Sequence, residues 1–191
     1  MKLKICGLRT LQDVDYVNQA EIDYAGFVFA DSRQQIDMNT ARALKKALNP
    51  DIKSVGVFVD ESYDFIKNLV DDGIIDIVQF HGDIEYEMPC QTIRAFRMQT
   101  PGDIKPTKCD FTLFDSFKKG VRGSTGGVFD WRLIEGYNEK PFFLAGGIDI
   151  SNIKKAMEIN PYCIDISSGA EENGEKSLKR IMGISHAIKN R

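Results

Sequence analysis

The sequence is poor in the residues from which metal sites and disulfide frameworks are built. It has four cysteines and two histidines, and Cys6, Cys90, Cys109 and Cys163 lie far apart with no C-x-x-C pair among them. Zinc sites and disulfide-stabilised folds both depend on characteristic cysteine spacing. The pattern therefore predicts reduced thiols and no metal site.

Long apolar runs and an excess of positive charge are also lacking. No stretch approaches the roughly 18 uninterrupted apolar residues that suggest a membrane span, and the N-terminal run MKLKICG has no signal-peptide character. The formal net charge is −3, and lysines and arginines are scattered, whereas nucleic-acid-binding proteins gather them in basic patches. We expect a cytoplasmic protein that binds neither membranes nor nucleic acids.

The remaining composition is that of one ordered globular domain. Hydrophobic residues make up 42% of the 191 residues and charged residues 28%. This is enough apolar material for one sizeable core and too little for two comfortable domains. We therefore expect a single domain over residues 1–191.

Eight short apolar runs, rich in Val, Ile and Phe, predict β-strands. They lie at 2–6, 24–29, 53–59, 75–79, 91–96, 110–114, 141–145 and 162–166. Stretches with helical spacing lie between most of them, at 10–20, 39–48, 61–71, 129–136, 150–159 and 176–189. Alternating strands and helices predict an α/β fold with a parallel sheet, and eight units would close it into a (β/α)8 TIM barrel. An open doubly wound sheet is the alternative.

Two of the connections are irregular. Residues 84–89 leave room for only a short fourth helix, and residues 98–109 contain two prolines and a glycine, which predicts a loop in place of helix 5. Trimmed connections would let a barrel form in a chain shorter than the typical length of about 250 residues.

Polar residues are concentrated on the predicted strands and at their C-terminal ends, where such barrels have their active sites. They are Cys6, Asp31, Ser32, Arg33, Gln79, His81, Arg94, Asp115, Ser116, Gly146, Gly147, Asp165, Ser167, Ser168 and Gly169. The glycine and hydroxyl residues after strands 7 and 8 are typical of a phosphate site, because backbone N–H groups can approach an anion there. A glycine pair alone indicates only a turn, but a second cluster one unit later favours phosphate binding.

Several of these residues are also compatible with structural roles. Taken alone, Cys6 would be a small buried apolar residue, and Asp115 a helix cap or loop residue. At a barrel mouth, an apolar environment would raise the pKa of Asp115 and keep it protonated near neutral pH. His81 is compatible with catalysis or with a structural hydrogen bond to a loop, and Lys4 would contribute electrostatically.

Eight short motifs, spread over nearly the whole chain, occur in the order and spacing of a known family. They are Lys4-Ile5-Cys6-Gly7, Gly26-Phe27-Val28-Phe29, Val57-Phe58-Val59, Gln79-Phe80-His81-Gly82, Asp115-Ser116, the glycine-rich stretch 122–127 before Phe129-Asp130-Trp131, Ala145-Gly146-Gly147-Ile148, and Asp165-Ile166-Ser167-Ser168-Gly169-Ala170-Glu171. In these motifs the sequence resembles phosphoribosylanthranilate isomerase. No single motif is specific, whereas eight in register are.

The resemblance implies an isomerase of tryptophan, and hence aromatic amino-acid, biosynthesis that needs no cofactor. The family reaction is an Amadori rearrangement of N-(5-phosphoribosyl)anthranilate to 1-(2-carboxyphenylamino)-1-deoxyribulose 5-phosphate. Asp115 matches the general acid, which protonates the furanose ring oxygen, and Cys6 matches the general base, which removes the proton from C2′. A thiol pKa of about 8.5 would need only modest lowering, which Lys4 or a nearby cluster of N–H groups could provide. The expected partner is a small phosphorylated molecule, and the protein would be a monomer or homodimer.

The region after strand 2 departs from the family pattern. Family members usually carry Ser-x-Arg there, with the arginine on the anthranilate carboxylate, but this chain has Ser32-Arg33-Gln34-Gln35. Either Arg33 reaches the carboxylate, or Gln34 supplies a hydrogen bond without charge. We also expect His81, Arg94 and Asp165 to contact the substrate. Ser124 replaces a glycine after strand 6 and would stiffen a loop expected to close over substrate.

Two other functions are compatible with these residues. One is a different phosphosugar isomerase or epimerase, which the altered Arg33-Gln34 region favours. The other is a catalytically silent barrel that binds phosphorylated metabolites, since a fold alone does not secure activity. Retention of Cys6 and Asp115 argues against the silent barrel.

Overall fold

The computed structural model describes residues 1–116 and 128–190. Within them, eight parallel strands form a closed barrel, in which each strand pairs with the next and β8 pairs with β1. The strands are β1 (Lys2–Cys6), β2 (Tyr24–Val28), β3 (Lys53–Phe58), β4 (Ile77–Phe80), β5 (Gln91–Met98), β6 (Phe111–Ser116), β7 (Phe142–Leu144) and β8 (Cys163–Ile166). The predicted α/β TIM barrel is confirmed. The glycine-rich stretch 122–127, including Ser124, lies outside the described residues.

Five α-helices accompany the strands in the described part of the chain. They are α1 (Leu11–Gln19), α2 (Met38–Ala47), α3 (Tyr63–Asp71), α4 (Ile153–Glu158) and α5 (Leu178–Lys189). Their positions agree with five of the six predicted helices. The helix predicted at 129–136 is wrong, because only a 3₁₀ turn forms at Trp131–Ile134 and Gly136, at φ 76°, ends it. None of the five is long and apolar enough to cross a membrane.

The connections that join β4, β5 and β6 pack on each other without a full helix. Residues 81–90 contain no helix, so the short fourth helix is wrong, whereas the loop in place of helix 5 is confirmed, with one 3₁₀ turn at Pro101–Asp103. Glu85 links the two connections, since its carboxylate accepts hydrogen bonds from Thr107 Oγ1 at 2.7 Å and Lys108 N at 3.2 Å. This carboxylate satisfies loop polar groups where helical hydrogen bonds are lacking.

Side chains alternate between the barrel interior and the layer beneath the helices, because successive residues of a strand point to opposite faces. One buried cluster inside the barrel consists of Tyr24, Val55, Ile77, Ile93, Ala95, Phe111, Leu113, Phe143, Ala145 and Cys163. A smaller cluster of Cys6, Val28, Ala30 and Val57 lies towards the C-terminal ends of the strands. The packed interior leaves the C-terminal mouth as the place for a ligand.

A short antiparallel hairpin, which was not predicted, follows β8. Its strands are β9 (Glu171–Glu172) and β10 (Glu175–Lys176). Asn173 and Gly174 join them with φ values of 54° and 85°, and Asn-Gly with positive φ at both positions is typical of a type I′ turn. Arg9 and Arg33 donate hydrogen bonds to the Gly174 carbonyl at 3.0 and 3.5 Å. The hairpin is thereby attached to the loops after β1 and β2.

Candidate active site

A cavity of about 480 Å³ opens at the C-terminal ends of the barrel strands. Its wall includes most of the residues predicted for the site, namely Cys6, Arg33, Gln34, His81, Asp115, Gly146, Gly147, Asp165, Ser167 and Ser168. Arg94 and Gly169 are not part of this wall. The topology of the barrel thus brings these residues from six separate segments of the sequence to one cavity.

A buried ion pair lies at the base of the cavity. Lys4 Nζ is 2.7 Å from Asp165 Oδ2 and 3.0 Å from Gln79 Oε1, and the lysine is fully buried. Burial lowers the pKa of Lys4, but the attraction of Asp165 raises it above its ordinary value overall. Asp165 Oδ1 is also buried and accepts no hydrogen bond from any described residue. One carboxylate oxygen therefore stays available to a ligand.

Asp115 is a buried carboxyl with an unusually high pKa. Burial raises the pKa of Asp115 to about 6, and the charge of Asp165 adds to the shift. The Ser116 N–H, which donates to Asp115 Oδ1 at 2.7 Å, and the charges of Arg97 and Lys4 act in the opposite direction. The group therefore changes protonation state near pH 6.

The thiol of Cys6 is protonated at neutral pH. Burial raises the pKa of Cys6 above its ordinary value, although the charges of Lys4 and Lys176 lower it in part. The expectation that Lys4 would bring about a net lowering is therefore wrong, because desolvation of the thiolate is the larger effect. Space for the sulfur depends on Gly26, where a Cβ would lie 2.6 Å from Cys6 Sγ.

His81 is neutral in this environment. Burial and the nearby charges of Arg97, Lys4 and Arg94 lower the pKa of His81 to about 3. Its backbone N–H donates to the Phe58 carbonyl at 2.8 Å. A neutral imidazole at the cavity wall can donate one hydrogen bond and accept another, and it adds no charge.

Glycines allow the loops after β7 and β8 to approach their neighbours closely. Gly146 and Gly147 have φ values of 85° and 62°, and a Cβ on Gly146 would lie 2.5 Å from Ser116 N. Gly169 does not line the cavity, but a Cβ there would lie 2.0 Å from the Ile148 carbonyl oxygen. Gly169 thus allows the loop after β8 to pack closely against the loop after β7. The residues of these two loops that line the cavity include Gly146, Gly147, Ser167 and Ser168.

A polar network links the loop after β2 to the β9–β10 hairpin. The buried Glu171 carboxylate accepts hydrogen bonds from Arg33 at 2.5 Å, Gln34 Nε2 at 2.5 Å and Lys176 Nζ at 2.9 Å. Gln34 Nε2 also lies 3.0 Å from Ser167 Oγ. Sequence reasoning missed the roles of Glu171 and Lys176, and the Asn-Gly turn between them was the signal that could have indicated them.

Arg94 is directed away from the cavity, and Arg97 lines it instead. On β5 the inward residues Ile93 and Ala95 belong to the barrel interior, so Arg97 is the next inward position. Arg94 lies on the outer face, with its guanidinium 5.8 Å from the ring centre of Phe96. Arg94, for which a substrate contact was expected, thus lies outside the cavity, whereas Arg97 lines it. The alternation of β5 was the signal that could have identified Arg97.

Comparison with known proteins identifies the family of this chain. The family described as N-(5'phosphoribosyl)anthranilate (PRA) isomerase matches residues 3–187. The N-(5'-phosphoribosyl)anthranilate isomerase of Endomicrobium trichonymphae is 43% identical over 190 residues, which cover 95% of this chain and 94% of the relative.

Solved structures give the same result. The phosphoribosyl anthranilate isomerase of Thermus thermophilus is 26% identical, with a TM-score of 0.88 over 100% of this chain and 99% of that one. A second such isomerase, in complex with reduced 1-(o-carboxyphenylamino)-1-deoxyribulose 5-phosphate, is 26% identical with a TM-score of 0.83 and full coverage of both chains, 100% each. The chain therefore belongs to the N-(5′-phosphoribosyl)anthranilate isomerase family.

Proposed function

We propose that this protein isomerises N-(5′-phosphoribosyl)anthranilate in tryptophan biosynthesis, with Asp115 as general acid and Cys6 as general base. The observation that carries this proposal is a buried carboxyl of raised pKa and a buried thiol in the wall of one cavity, beside the glycine-rich loops after β7 and β8. Acid–base catalysis needs both groups within reach of one bound substrate. We expect a monomer or a homodimer.

Asp115 acts first, on the furanose ring oxygen. Its carboxyl proton passes to that oxygen as the C1′–O bond breaks, and the nitrogen lone pair forms the C1′=N bond of a Schiff base. Asp115 is left as a carboxylate, which the Ser116 N–H and the charges of Arg97 and Lys4 stabilise. The raised pKa supports this role because a protonated carboxyl is still present near neutral pH.

Cys6 acts second, on the C2′ proton, which the iminium makes acidic. The thiolate takes the proton, the C2′–H electron pair forms a C1′=C2′ double bond, and the C1′=N pair returns to nitrogen. The resulting enol becomes the ketone by protonation at C1′ and loss of the hydroxyl proton. The charges of Lys4 and Lys176 favour the thiolate that this step requires.

The remaining residues are assigned to substrate binding. Gly146, Gly147, Ser167 and Ser168 would hold the phosphate, with Gly169 fixing the loops relative to each other. The free Asp165 oxygen would accept a hydrogen bond from a substrate hydroxyl or amine, and neutral His81 would form another. Arg33 and Gln34, which adjoin Ser167, would close the β2 side of the phosphate site.

The reactive protonation state is a minority form of the enzyme. The acid, with a pKa of about 6, loses its proton at lower pH than the thiol, whose pKa is raised above its ordinary value of about 8.5. Because the acid has the lower pKa of the two, only a small fraction of the molecules has Asp115 protonated and Cys6 ionised together. This fraction is constant between the two pKa values.

The pH dependence of kcat should reflect this arrangement. We expect kcat to rise with pH up to about 6, to stay level, and to fall only above the pKa of the thiol. Saturating substrate removes the effect of the free phosphate, which also ionises near pH 6. A kcat that already falls above pH 6 would contradict the assignment, since it would require a base with a pKa below that of Asp115.

Complementation tests the cellular function. A bacterial strain that lacks this isomerase requires tryptophan, and expression of the unmutated chain should restore growth without it. The Asp115→Asn variant, produced at equal level, should not restore growth. If the unmutated, folded protein fails as well, a different phosphosugar substrate or a silent binding barrel becomes the better interpretation.

A further inference from the structure

Arg97 is a charged group in the cavity wall that is not engaged in an ion pair with any described side chain. It is half-buried on β5, beside Asp115 of β6 in the strand register. Within residues 1–116 and 128–190 it forms no ion pair and no hydrogen bond through its guanidinium, and residues 117–127 contain neither Asp nor Glu. Because an arginine side chain does not lose its proton in proteins, a fixed positive charge remains for a ligand.

Among residues 1–116 and 128–190, the other cations near the cavity are engaged in ion pairs. Lys4 is paired with Asp165 at 2.7 Å, and Arg33 and Lys176 share the carboxylate of Glu171 at 2.5 and 2.9 Å. Arg97 differs from them, because its guanidinium donates no hydrogen bond to any residue that the structure describes and can therefore bind a ligand.

Gln34 offers little to a carboxylate. Its amide nitrogen has two hydrogens, and Glu171 Oε1 and Ser167 Oγ lie 2.5 and 3.0 Å from that nitrogen. Its amide oxygen is an acceptor and would repel an anion. The side chain of Gln34 is thus held against the loop after β8 by its own hydrogen bonds and has no donor left for a substrate carboxylate.

The two flanks of the phosphate site differ in charge. In the barrel order, β2 lies two strands from β8 and β5 lies two strands from β7, so both flanks are equally near the loops that would hold phosphate. Asp31 and Glu61 line the cavity from the loops after β2 and β3. A second anionic group of the substrate is therefore more favourably placed on the β5 side.

We propose that Arg97 binds the carboxylate on the aromatic ring of the substrate and is the residue that distinguishes this substrate from carboxylate-free analogues. The inference rests on the proposed function, because it assumes an anthranilate group in this cavity. An arginine pairs with a carboxylate through two parallel N–H···O bonds, which gives it both affinity and orientation.

The test compares two substrates in Arg97→Met. Ribose 5-phosphate condenses with anthranilate or with aniline, which yields substrates that differ only in the carboxylate. Removal of the Arg97 charge also acts on Asp115 and should lower kcat for both substrates alike. We expect Arg97→Met to lower kcat/KM for the anthranilate substrate about 10- to 100-fold more than for the aniline substrate, with this extra loss appearing in KM. Arg97→Lys should retain part of the discrimination.

Two comparison variants make the result specific. Arg180→Met removes a positive charge from the exposed surface of α5 and should change neither substrate. Arg33→Met tests the alternative contact at the β2 loop. Equal losses for both substrates in Arg97→Met would overturn the proposal and favour an effect on Asp115, and loss of the discrimination in Arg33→Met alone would overturn it in favour of Arg33.

Binding provides a readout that does not depend on turnover. The reduced product, 1-(o-carboxyphenylamino)-1-deoxyribulose 5-phosphate with its ketone reduced, and its phenylamino counterpart can be titrated by calorimetry. We expect Arg97→Met to weaken binding of the first probe about 10- to 100-fold and the second by less than about threefold. An unmutated protein that binds both probes equally would overturn the inference, whereas no turnover with carboxylate-selective binding would count only against the proposed reaction.

Discussion

Cys6→Ser is expected to lower kcat by about 10²- to 10⁴-fold, the usual contribution of a general base. Serine is nearly isosteric with cysteine, but its hydroxyl does not ionise in the accessible pH range, so the C2′ proton has no acceptor. KM should change much less, because in the proposed reaction Cys6 would face the reacting carbon and not the phosphate or the carboxylate. Turnover is measured by the loss of anthranilate fluorescence in freshly generated substrate.

A matched cysteine controls for the loss of a thiol. Cys90 is half-buried and lies outside the cavity, so Cys90→Ser should retain the activity of the unmutated protein. Thermal unfolding of Cys6→Ser should remain cooperative, which separates a catalytic loss from a folding defect. If Cys6→Ser turns over substrate within about threefold of the unmutated protein, another group must remove the C2′ proton.

Asp115→Asn is expected to lower kcat by a similar factor of about 10²- to 10⁴-fold, because an amide cannot donate a proton to the ring oxygen. The amide oxygen can still accept the hydrogen bond from Ser116 N, which is 2.7 Å from the native carboxylate oxygen. The exposed Asp72, paired with Arg42, offers a control, and Asp72→Asn should leave turnover unchanged. Substantial turnover in Asp115→Asn would assign the acid to another residue.

The same substitution should stabilise the protein at high pH. The pKa of Asp115 is about 6 in the folded protein and about 3.9 in an unfolded chain. A raised folded pKa means that the group costs no stability below about pH 4, and that stability is lost as the pH rises through about 6. A difference of about two pKa units corresponds to at most about 3 kcal/mol.

Chemical unfolding at two pH values measures this effect. The free energy of unfolding of Asp115→Asn should exceed that of the unmutated protein by about 1–3 kcal/mol at pH 8, and the two should agree at pH 4. Lower activity together with higher stability is expected when a buried ionisable group that destabilises the fold is replaced and that group is needed for catalysis. An equal or lower stability at pH 8 would contradict the raised pKa.

The strands and most helices could be predicted from the sequence because the spacing of apolar residues in each segment reflects which of its faces is buried. The runs at 24–29 and 53–59 became β2 and β3 with one residue fewer each. The helix at 129–136 failed because its pattern is too short to outweigh the glycine that follows it. Predictions were thus best where the periodic pattern was longest.

Site residues could be predicted from the sequence where their position at the end of a strand was sufficient. The direction of a side chain and the balance of effects on a pKa could not be predicted in this way. Cys6 and Asp115 follow from their place at strand ends, but Arg94 and Arg97 differ only in which face of β5 they occupy. The direction of the Cys6 pKa required a comparison of burial with two nearby charges, which needs coordinates. The network around Glu171 depends on a hairpin that folds back over the barrel.

The most direct test of the central claim is turnover of N-(5′-phosphoribosyl)anthranilate by the purified, unmutated protein, followed by the decay of anthranilate fluorescence without added metal or cofactor. The account predicts a decay with a rate proportional to protein concentration, which is at least about 100-fold slower in Cys6→Ser and in Asp115→Asn although both variants stay folded. No decay above the spontaneous rate with the folded, unmutated protein would contradict it.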